Sequence, residues 1–351
     1  MIQRPVLSIQ WHVTVKCDQR CSHCYVYDER TYERERTGEL SLRDCRRVID
    51  DYAATLRRWG ALGDIGFSGG DPLLREDFFD ILAYAQKRGF GDMGVLGNPY
   101  HLDARTARQL RETGVSAYQI SVDGMRETHD RIRKRGSFAA SLKAFEVLKA
   151  AGIETLMMFT LTPENKDDLI EVIRLADEIG VDGFTFARVS AVGEAARGAN
   201  PITASEYREI YLRAVGEYER LRKRGSRTSF MLKDHLWAPL FVETGRVPDV
   251  AALRNRRDAL PCGMGEAHLT ILADGTVLPC RRLPLPVGRV PQQALADIWL
   301  NSKLLNQLRN QKRYRKCGLC AYADHCMGCP AVAFGQTGDP FAADPQCWVT
   351  S

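Results

Sequence analysis

Three cysteines lie within eight residues near the start of this 351-residue chain: Cys17, Cys21 and Cys24, in "CDQRCSHC". Thiolates at this spacing are ligands for zinc or for an iron–sulfur cluster. A structural zinc ion takes four ligands, and the nearest candidate, His23, adjoins Cys24, so binding all four to one ion would strain the loop. A 4Fe–4S cluster on three cysteines leaves one iron for a small molecule. The triplet therefore suits a cluster that binds substrate or cofactor, and its spacing does not decide which.

A second group of cysteines lies in the last quarter of the chain. Its members are Cys262, Cys280, Cys317, Cys320, Cys326, Cys329 and Cys347. Cys45 stands alone in a helical pattern, where a buried apolar role is favoured. Because disulfides seldom persist in the cytoplasm, this distribution predicts metal centres at both ends of the chain. By spacing alone, the C-x2-C pairs of the second group would favour zinc.

The composition is that of a globular protein, with 44% apolar and 26% charged residues. No apolar run reaches the roughly 20 residues of a membrane span, and the N-terminus lacks the features of a secretory signal. We therefore expect a cytoplasmic protein without membrane contact. The net charge is +5, with basic clusters at 131–135, 220–224 and 311–316. These clusters are interpreted as solvated faces or as a surface for an acidic partner such as a peptide, and no nucleic-acid-binding signature accompanies them.

The elements that position these cysteines alternate between strands and helices. Strands are predicted at 6–15, 64–69, 92–98, 117–124, 155–162 and 183–190. Helices are predicted at Ser41–Trp59, Arg75–Arg88, Ala104–Glu112, Phe138–Ala150 and Lys166–Ile179. Ser41 is a typical N-cap, and glycines follow several helix ends. The alternation predicts an α/β fold with a parallel sheet that is closed or partly closed into a barrel.

Unusual loops follow four of these strands, at the edge where parallel α/β folds place their chemistry. The cysteine triplet follows the first strand, "SGGDP" (68–72) the second, "GNP" (97–99) the third and "SVDG" (121–124) the fourth. A helix is expected from about 205 to 224, and residues 226–260 are treated as a bridge. From Cys262 onward we expect a small region that depends on metal for stability.

On these residues the chain resembles the radical S-adenosylmethionine (SAM) enzymes. The C-x3-C-x2-C triplet is similar to their cluster signature, "GGDP" to their Gly-Gly-Glu-Pro loop and "ISVDG" to their fourth-strand motif. Cys262, Gly275 and Cys280, followed by "CGLCAYADHCMGC" (317–329) and Cys347, resemble a SPASM domain, which carries one or two auxiliary 4Fe–4S clusters. The resemblance covers the whole chain. It implies a partial (β/α)6 TIM-type barrel at 1–200, a helical bridge at 201–258 and a SPASM domain at 259–351.

The resemblance also implies a mechanism. Cys17, Cys21 and Cys24 would hold a cluster whose free iron binds SAM, and reduction would yield a 5′-deoxyadenosyl radical that abstracts hydrogen from substrate. The positions that match SAM contacts are Gly69, Gly70, Asp71, Asn98, Ser121 and Arg133. No catalytic acid or base is assigned. Four ionisable residues lie on or near strand ends but receive no role: Asp123, His129, Arg188 and Glu194. A non-catalytic iron–sulfur electron carrier is the alternative, which has no need of a SAM pocket.

Two auxiliary clusters are implied, which brings the expected total to three 4Fe–4S clusters. One would be held by Cys317, Cys320, Cys326 and Cys347. The other would be held by Cys262, Cys280 and Cys329, with Asp258, substrate or no ligand at the fourth position. The chain departs from the family at three places. Asp71 stands where Glu is common. His23 stands where Tyr or Trp is usual, and it could still stack near adenine or cover the cluster. The final pair "CMGC" is one residue shorter than the usual C-x3-C ending.

A peptide or protein is the substrate that the resemblance favours, with a thioether crosslink, a carbon–carbon crosslink or an oxidised residue as product. A haem or quinone-cofactor precursor or another small molecule is the alternative. Sulfatase maturation is disfavoured because Arg281 stands where those relatives carry a carboxylate base. The first strand begins by residue 7, so a separate leader-binding protein or the enzyme's own surface, including Arg281 and Arg282, would recognise an acidic leader. A flavodoxin or ferredoxin is the expected reductant.

Overall fold

The structure is a computed structural model that describes residues 4–197, 202–245, 263–323 and 326–349. Two predicted participants in the auxiliary clusters, Cys262 and Asp258, lie outside these described residues. The last part of the predicted bridge and the start of the predicted SPASM domain lie there as well.

Ten strands in the described residues form one sheet. They are β1 (Val6–Thr14), β2 (Leu62–Gly69), β3 (Met93–Leu96), β4 (Val115–Ser121), β5 (Glu154–Leu161), β6 (Gly183–Arg188), β7 (Ser229–Met231), β8 (His268–Ile271), β9 (Thr276–Leu278) and β10 (Gly288–Arg289). The order is β10-β9-β8-β1-β2-β3-β4-β5-β6-β7. Neighbours from β8 through β1 to β7 are parallel, and β9 is antiparallel to both β8 and β10. The edge strands do not pair with each other among the described residues, so the predicted partial barrel is confirmed and is not closed.

Eight of the described helices connect the parallel strands β1 to β7, and the others follow β7 or β10. The helices are α1 (Glu29–Thr37), α2 (Leu42–Trp59), α3 (Phe78–Lys87), α4 (Ala104–Glu112), α5 (Arg126–Ile132), α6 (Ser137–Ala150), α7 (Leu169–Glu178), α8 (Ala204–Lys223), α9 (Trp237–Thr244), α10 (Leu295–Asn301), α11 (Lys303–Leu308), α12 (Arg315–Gly318) and α13 (Pro330–Thr337). The predicted N-cap is confirmed, since the Ser41 side chain accepts a hydrogen bond from the Asp44 N–H at 3.2 Å. Within the described part of the chain, no helix has the length and apolar character needed to cross a membrane.

Side-chain alternation along β1 separates the hydrophobic core from the inside of the open barrel. Ile9, Trp11 and Val13 are almost fully buried and belong to the core that β1 shares with the helices. Gln10 points to the other face and lines a cavity inside the barrel. Because successive side chains of a strand face opposite sides, each strand contributes to both the core and the cavity.

The C-terminal region continues the sheet of the barrel. Strand β8 pairs with β1 over residues 268–271, and the Leu295 N–H at the start of α10 donates to the Asp51 carboxylate of α2 at 2.7 Å. The segment predicted as a helical bridge also contributes a strand, because β7 pairs with β6. Where it is described, this segment consists mainly of the helices α8 and α9, and the three-residue strand carries too little periodicity to be recognised in the sequence.

Candidate functional site

A cavity of about 670 Å³ lies inside the open barrel. Strands β1 to β6 contribute Gln10, Ser68, Leu96, Gln119, Met158 and Ala187 to its lining. The triplet Cys17, Cys21 and Cys24 lines one part of the cavity, and Cys280 of the C-terminal region lines another. The structure thus brings members of both predicted cysteine groups to one cavity.

Each sulfur of the triplet has a nitrogen donor nearby. The Asn98 amide donates to Cys17 Sγ at 3.3 Å, the Arg133 guanidinium to Cys21 Sγ at 3.8 Å and the Tyr27 backbone N–H to Cys24 Sγ at 3.3 Å. Burial raises the pKa of Cys21 to about 12. Hydrogen-bond donors and a bound metal both favour the thiolate over this buried thiol.

The three sulfurs of the triplet do not all lie as close together as one zinc ion would require. Among the described residues, the one set of three or more candidate ligand atoms within 4.8 Å of one another consists of Asp18, Asp71 and His101. At least one pair of the three sulfurs is therefore more than 4.8 Å apart, whereas zinc at about 2.3 Å from each sulfur would need every pair about 3.8 Å apart. His23 Nε2 lies 2.9 Å from the Asp123 carboxylate, and its Nδ1 has no hydrogen-bond partner among the described residues.

Asp123 connects the loop after β4 with the triplet loop. Its Oδ2 contacts His23 Nε2 at 2.9 Å and accepts from Arg133 Nε at 2.5 Å. Its Oδ1 accepts from the Thr160 N–H at 2.7 Å. Burial alone would raise the pKa of Asp123, but Arg133 and His23 outweigh it and hold that pKa below its usual value. The sequence placed Asp123 only near a strand end. Its partner Arg133 is ten residues away, whereas His23 and Thr160 come from segments too distant in sequence to be recognised.

A second buried chain of hydrogen bonds reaches the triplet loop through His129. The Asp123 N–H donates to His129 Nδ1 at 3.0 Å, so the ring carries its proton on Nε2 and donates to Ser137 Oγ at 3.0 Å. The Gln19 amide also donates to Ser137 Oγ, at 3.1 Å, and Gln19 Oε1 lies 3.6 Å from Cys21 Sγ. Burial and the nearby Arg133 lower the pKa of His129 to about 4, so the ring is neutral at physiological pH.

Five of the six residues predicted to contact SAM line the cavity. They are Gly69, Gly70, Asn98, Ser121 and Arg133. The two glycines are needed for close packing, because a Cβ would lie 2.2 Å from Thr14 O at Gly69 and 2.1 Å from Lys16 O at Gly70. The loop after β2 thus crosses directly over the start of the triplet loop.

Asp71 is the predicted SAM contact that does not line the cavity. Its Oδ1 accepts from the Leu73 N–H at 3.3 Å and caps a short 3-10 helix. Its Oδ2 is buried and has no hydrogen-bond partner among the described residues. Burial raises the pKa of Asp71 to about 6. The role of Asp71 toward SAM therefore stays a prediction.

The second cysteine group surrounds a buried polar network. Burial raises the pKa of Cys326 to about 12, and the neighbouring Cys347 and Cys317 thiols add to this rise. The Cys329 sulfur lies 4.0 Å from the Arg282 guanidinium. This arrangement brings three of the four predicted ligands of one auxiliary cluster near one another, while the ligand assignment itself stays a prediction.

Arg188, at the end of β6, joins the barrel to the C-terminal segment. It is 1% exposed, and its guanidinium bonds Asp234 at 3.0 Å and Asp344 at 2.9 Å. It also donates to Gln346 Oε1 at 3.0 Å. The sequence placed Arg188 at a strand end but gave no sign of these partners, of which two lie more than 150 residues away.

Both regions of the chain match known protein families. Residues 11–176 match the radical SAM superfamily, and residues 262–327 match SPASM, an iron–sulfur cluster-binding domain. The AdoMet-dependent heme synthase of Oleidesulfovibrio alaskensis is 31% identical over 97% of this chain and 86% of its own length. The mycofactocin maturase MftC of Mycobacterium ulcerans is 30% identical over 97% of this chain and 87% of its own length.

Solved structures share the fold at lower identity. Streptococcus suis SuiB bound to S-adenosylmethionine superposes with a TM-score of 0.73 and 16% identity, over 99% of this chain and 78% of that chain. The cysteine triplet at the end of β1, the open parallel barrel and the similarity along nearly the whole sequence agree with one another. The chain belongs to the radical SAM superfamily and is a radical SAM enzyme of the SPASM-containing type.

Proposed function

We propose that the chain cleaves SAM reductively and removes a hydrogen atom from an organic substrate held in the barrel cavity. The observation that carries this proposal is the shared lining: the triplet, three strand-end loops and Cys280 all border one cavity. When bound, SAM and the cluster would supply the 5′-deoxyadenosyl radical that takes the hydrogen atom. The chain itself would bind and orient SAM and the substrate and exclude water from the cavity.

Particular residues would perform these tasks. Cys17, Cys21 and Cys24 would hold the cluster, which the donors around their sulfurs favour. The backbone of Gly69 and Gly70, with Asn98, Ser121 and Arg133, would hold SAM. We infer two auxiliary clusters on the second cysteine group and a flavodoxin or ferredoxin as the electron donor.

The first candidate substrate is a peptide that the enzyme matures by a crosslink or an oxidation. A relative named as a maturase, 30% identical over nearly the whole chain, supports this candidate. A separate leader-binding protein would then deliver the peptide. Arg282 is a poor candidate for leader recognition, because it points inward and donates to Arg188 O at 3.0 Å.

The second candidate substrate is a haem precursor. It is supported by a relative named as a heme synthase and by the charge of the cavity lining. The lining includes six cationic side chains, Arg20, Arg133, Arg188, Lys233, Arg281 and Arg282, and two acidic ones, Glu29 and Glu194. Because Arg133 and Arg188 are paired with buried aspartates behind the lining, the cationic excess rests on the other four. Such a cavity favours an anionic substrate.

One experiment tests the function and separates the candidates. The anaerobically reconstituted enzyme is incubated with SAM, dithionite and either iron coproporphyrin III or peptides encoded beside its gene, and 5′-deoxyadenosine and substrate mass are measured. We expect 5′-deoxyadenosine from the native enzyme and a substrate that loses hydrogen. Replacing Cys21 by Ala should abolish both, whereas Cys45→Ala, at the isolated buried cysteine, serves as the matched control. Native enzyme that forms no 5′-deoxyadenosine under any condition would contradict the proposal.

A further inference from the structure

A tight turn carries two adjacent arginines that make different contacts. The turn spans Cys280 to Leu283 and is closed by the Leu283 N–H donating to Cys280 O at 2.9 Å. Leu283 is fully buried and anchors the turn. Its two central residues are Arg281 and Arg282, so the backbone fixes where each guanidinium can reach.

Arg282 is committed to the protein interior. One of its nitrogens donates to Arg188 O at 3.0 Å and another approaches Cys329 Sγ at 4.0 Å. It therefore belongs to the contact between the end of β6 and the second cysteine group.

Arg281 lacks such a partner. Its guanidinium lies over the Tyr25 ring, 4.4 Å from the ring centre, directly beside the triplet loop. It lines the cavity, and no carboxylate of the described residues forms an ion pair with it. Burial lowers the pKa of Arg281 to about 9, and the Cys24 thiol acts against this shift. A ligand that supplies a carboxylate would add the oxygen acceptors that this half-buried cation lacks among the described residues.

The surroundings of Arg281 offer further polar groups. His12 is 2% exposed, and neither ring nitrogen has a hydrogen-bond partner in the part of the chain that the structure describes. It lies on the same face of β1 as Gln10, which lines the cavity. Lys233 and His268 also line the cavity. His12 is not one of the residues that line the cavity, but Arg281 lies close enough to add to the lowering of the His12 pKa that burial causes.

We propose that Arg281 binds a carboxylate of the substrate and so determines which substrates reach the cluster triplet. The planar guanidinium suits a carboxylate because it can donate two parallel hydrogen bonds. A propionate of a tetrapyrrole and an acidic side chain of a peptide share this chemistry. The proposal rests on the proposed function, because it assigns the substrate class of the same cavity.

The test measures ligand binding to the reconstituted holoenzyme with SAM present. The probes are iron coproporphyrin III with its tetramethyl ester, and a short Glu-containing peptide with its Gln counterpart. We expect one acidic probe to bind more tightly than its uncharged counterpart. Arg281→Gln should weaken binding of that acidic probe by about ten- to a hundredfold and leave the uncharged one unchanged. Arg281→Lys should recover part of the affinity, since it keeps the charge and loses the fork.

The controls separate this inference from its alternatives. Arg58→Gln removes a charge from an exposed position of α2 and should bind the probes as the native enzyme does. The acidic probe whose binding is weakened by Arg281→Gln shows whether the carboxylate comes from a tetrapyrrole or from a peptide. The inference would be overturned if Arg281→Gln bound the acidic probes as tightly as the native enzyme does. It would also be overturned if the native enzyme bound neither acidic probe more tightly than its uncharged counterpart. Loss of cluster iron in Arg281→Gln would instead assign the arginine to balancing the cluster charge. Failure of native enzyme to cleave SAM, measured separately, counts against the proposed function alone.

Discussion

At the scale of single residues, Asp123 organises the site more than the sequence indicated. Its carboxylate binds a histidine of the triplet loop, an arginine of the cavity lining and a backbone N–H at the end of β5. His23 was expected to stack near adenine or to cover the cluster. The structure shows that a hydrogen bond to Asp123 sets the orientation of His23, and its role toward adenine or the cluster stays a prediction. Buried charges are stable only when paired in this way.

His129 makes the stability of the protein depend on pH. Its pKa is lowered to about 4 in the folded chain, chiefly by burial. Because the unfolded chain takes up the proton at about pH 6.5, the unfolded state binds more protons between these two values. Stability is therefore fully present above about pH 6.5 and falls as the pH drops toward 4, by about 3 kcal/mol in total.

We therefore expect His129→Gln to flatten the acid side of the stability profile. At neutral pH the variant should be about 1–3 kcal/mol less stable to unfolding, since the Asp123 N–H loses a well-placed acceptor. On acidification its unfolding free energy should fall less than that of the native protein. Chemical unfolding followed between about pH 5 and 7.5 measures both effects. His101→Gln, at an exposed histidine, is the matched control. A His129→Gln profile that falls as steeply as the native one over this range would contradict the assignment.

At the scale of elements, the sequence predicted the six barrel strands and five of their helices within a few residues. These elements were predictable from hydrophobic periodicity, from Ser41 as an N-cap and from the glycines after helix ends. Local backbone preferences and burial agreed in these segments. The short helices α1 and α5 and strand β7 were missed. Each has nine residues or fewer, and its stability comes from tertiary contacts that no local pattern shows.

The candidate site was predictable to a similar degree. The loops at the ends of β1 to β4 were expected on one face, and the cavity lining includes residues from all four regions. The place of Asp71 was not predictable, because its side chain turns to cap the 3-10 helix after it. Motif spacing gives the loop that carries a residue, whereas the direction of the side chain depends on packing.

The crossing of the loops after β1 and β2 gives a prediction at this scale. Gly70→Ala would place a Cβ 2.1 Å from Lys16 O, so one of the two backbones must move. We expect a loss of about 3 kcal/mol or more in unfolding free energy, together with reduced iron at the triplet. Gly94→Ala in β3 is the control, since a Cβ there meets nothing within 4 Å. Unfolding curves and iron quantitation on both variants measure the difference, and equal behaviour would show that the crossing is not tight.

At the scale of the whole molecule, the barrel and the cysteine-rich region form one continuous structure. Strand β8 extends the sheet beside β1, and Cys280 and Arg281 thereby reach the cavity that the triplet lines. The sequence predicted the two regions as separate domains because their compositions differ. The pairing of a strand near residue 270 with one near residue 10 is a long-range contact, which periodicity cannot reveal.

Arg188 tests whether this connection supports the second cysteine group. Arg188→Met keeps the volume but leaves the buried Asp234 and Asp344 without their counter-ion, which should cost about 3–5 kcal/mol. Because Asp344 also accepts from the Cys329 N–H at 3.3 Å, we expect iron loss from the C-terminal clusters before loss from the triplet. Iron quantitation with Mössbauer spectroscopy distinguishes the two. Adding Asp234→Asn and Asp344→Asn should restore part of the stability, since no unpaired buried charge then remains, and equal iron loss at both ends would contradict a local role.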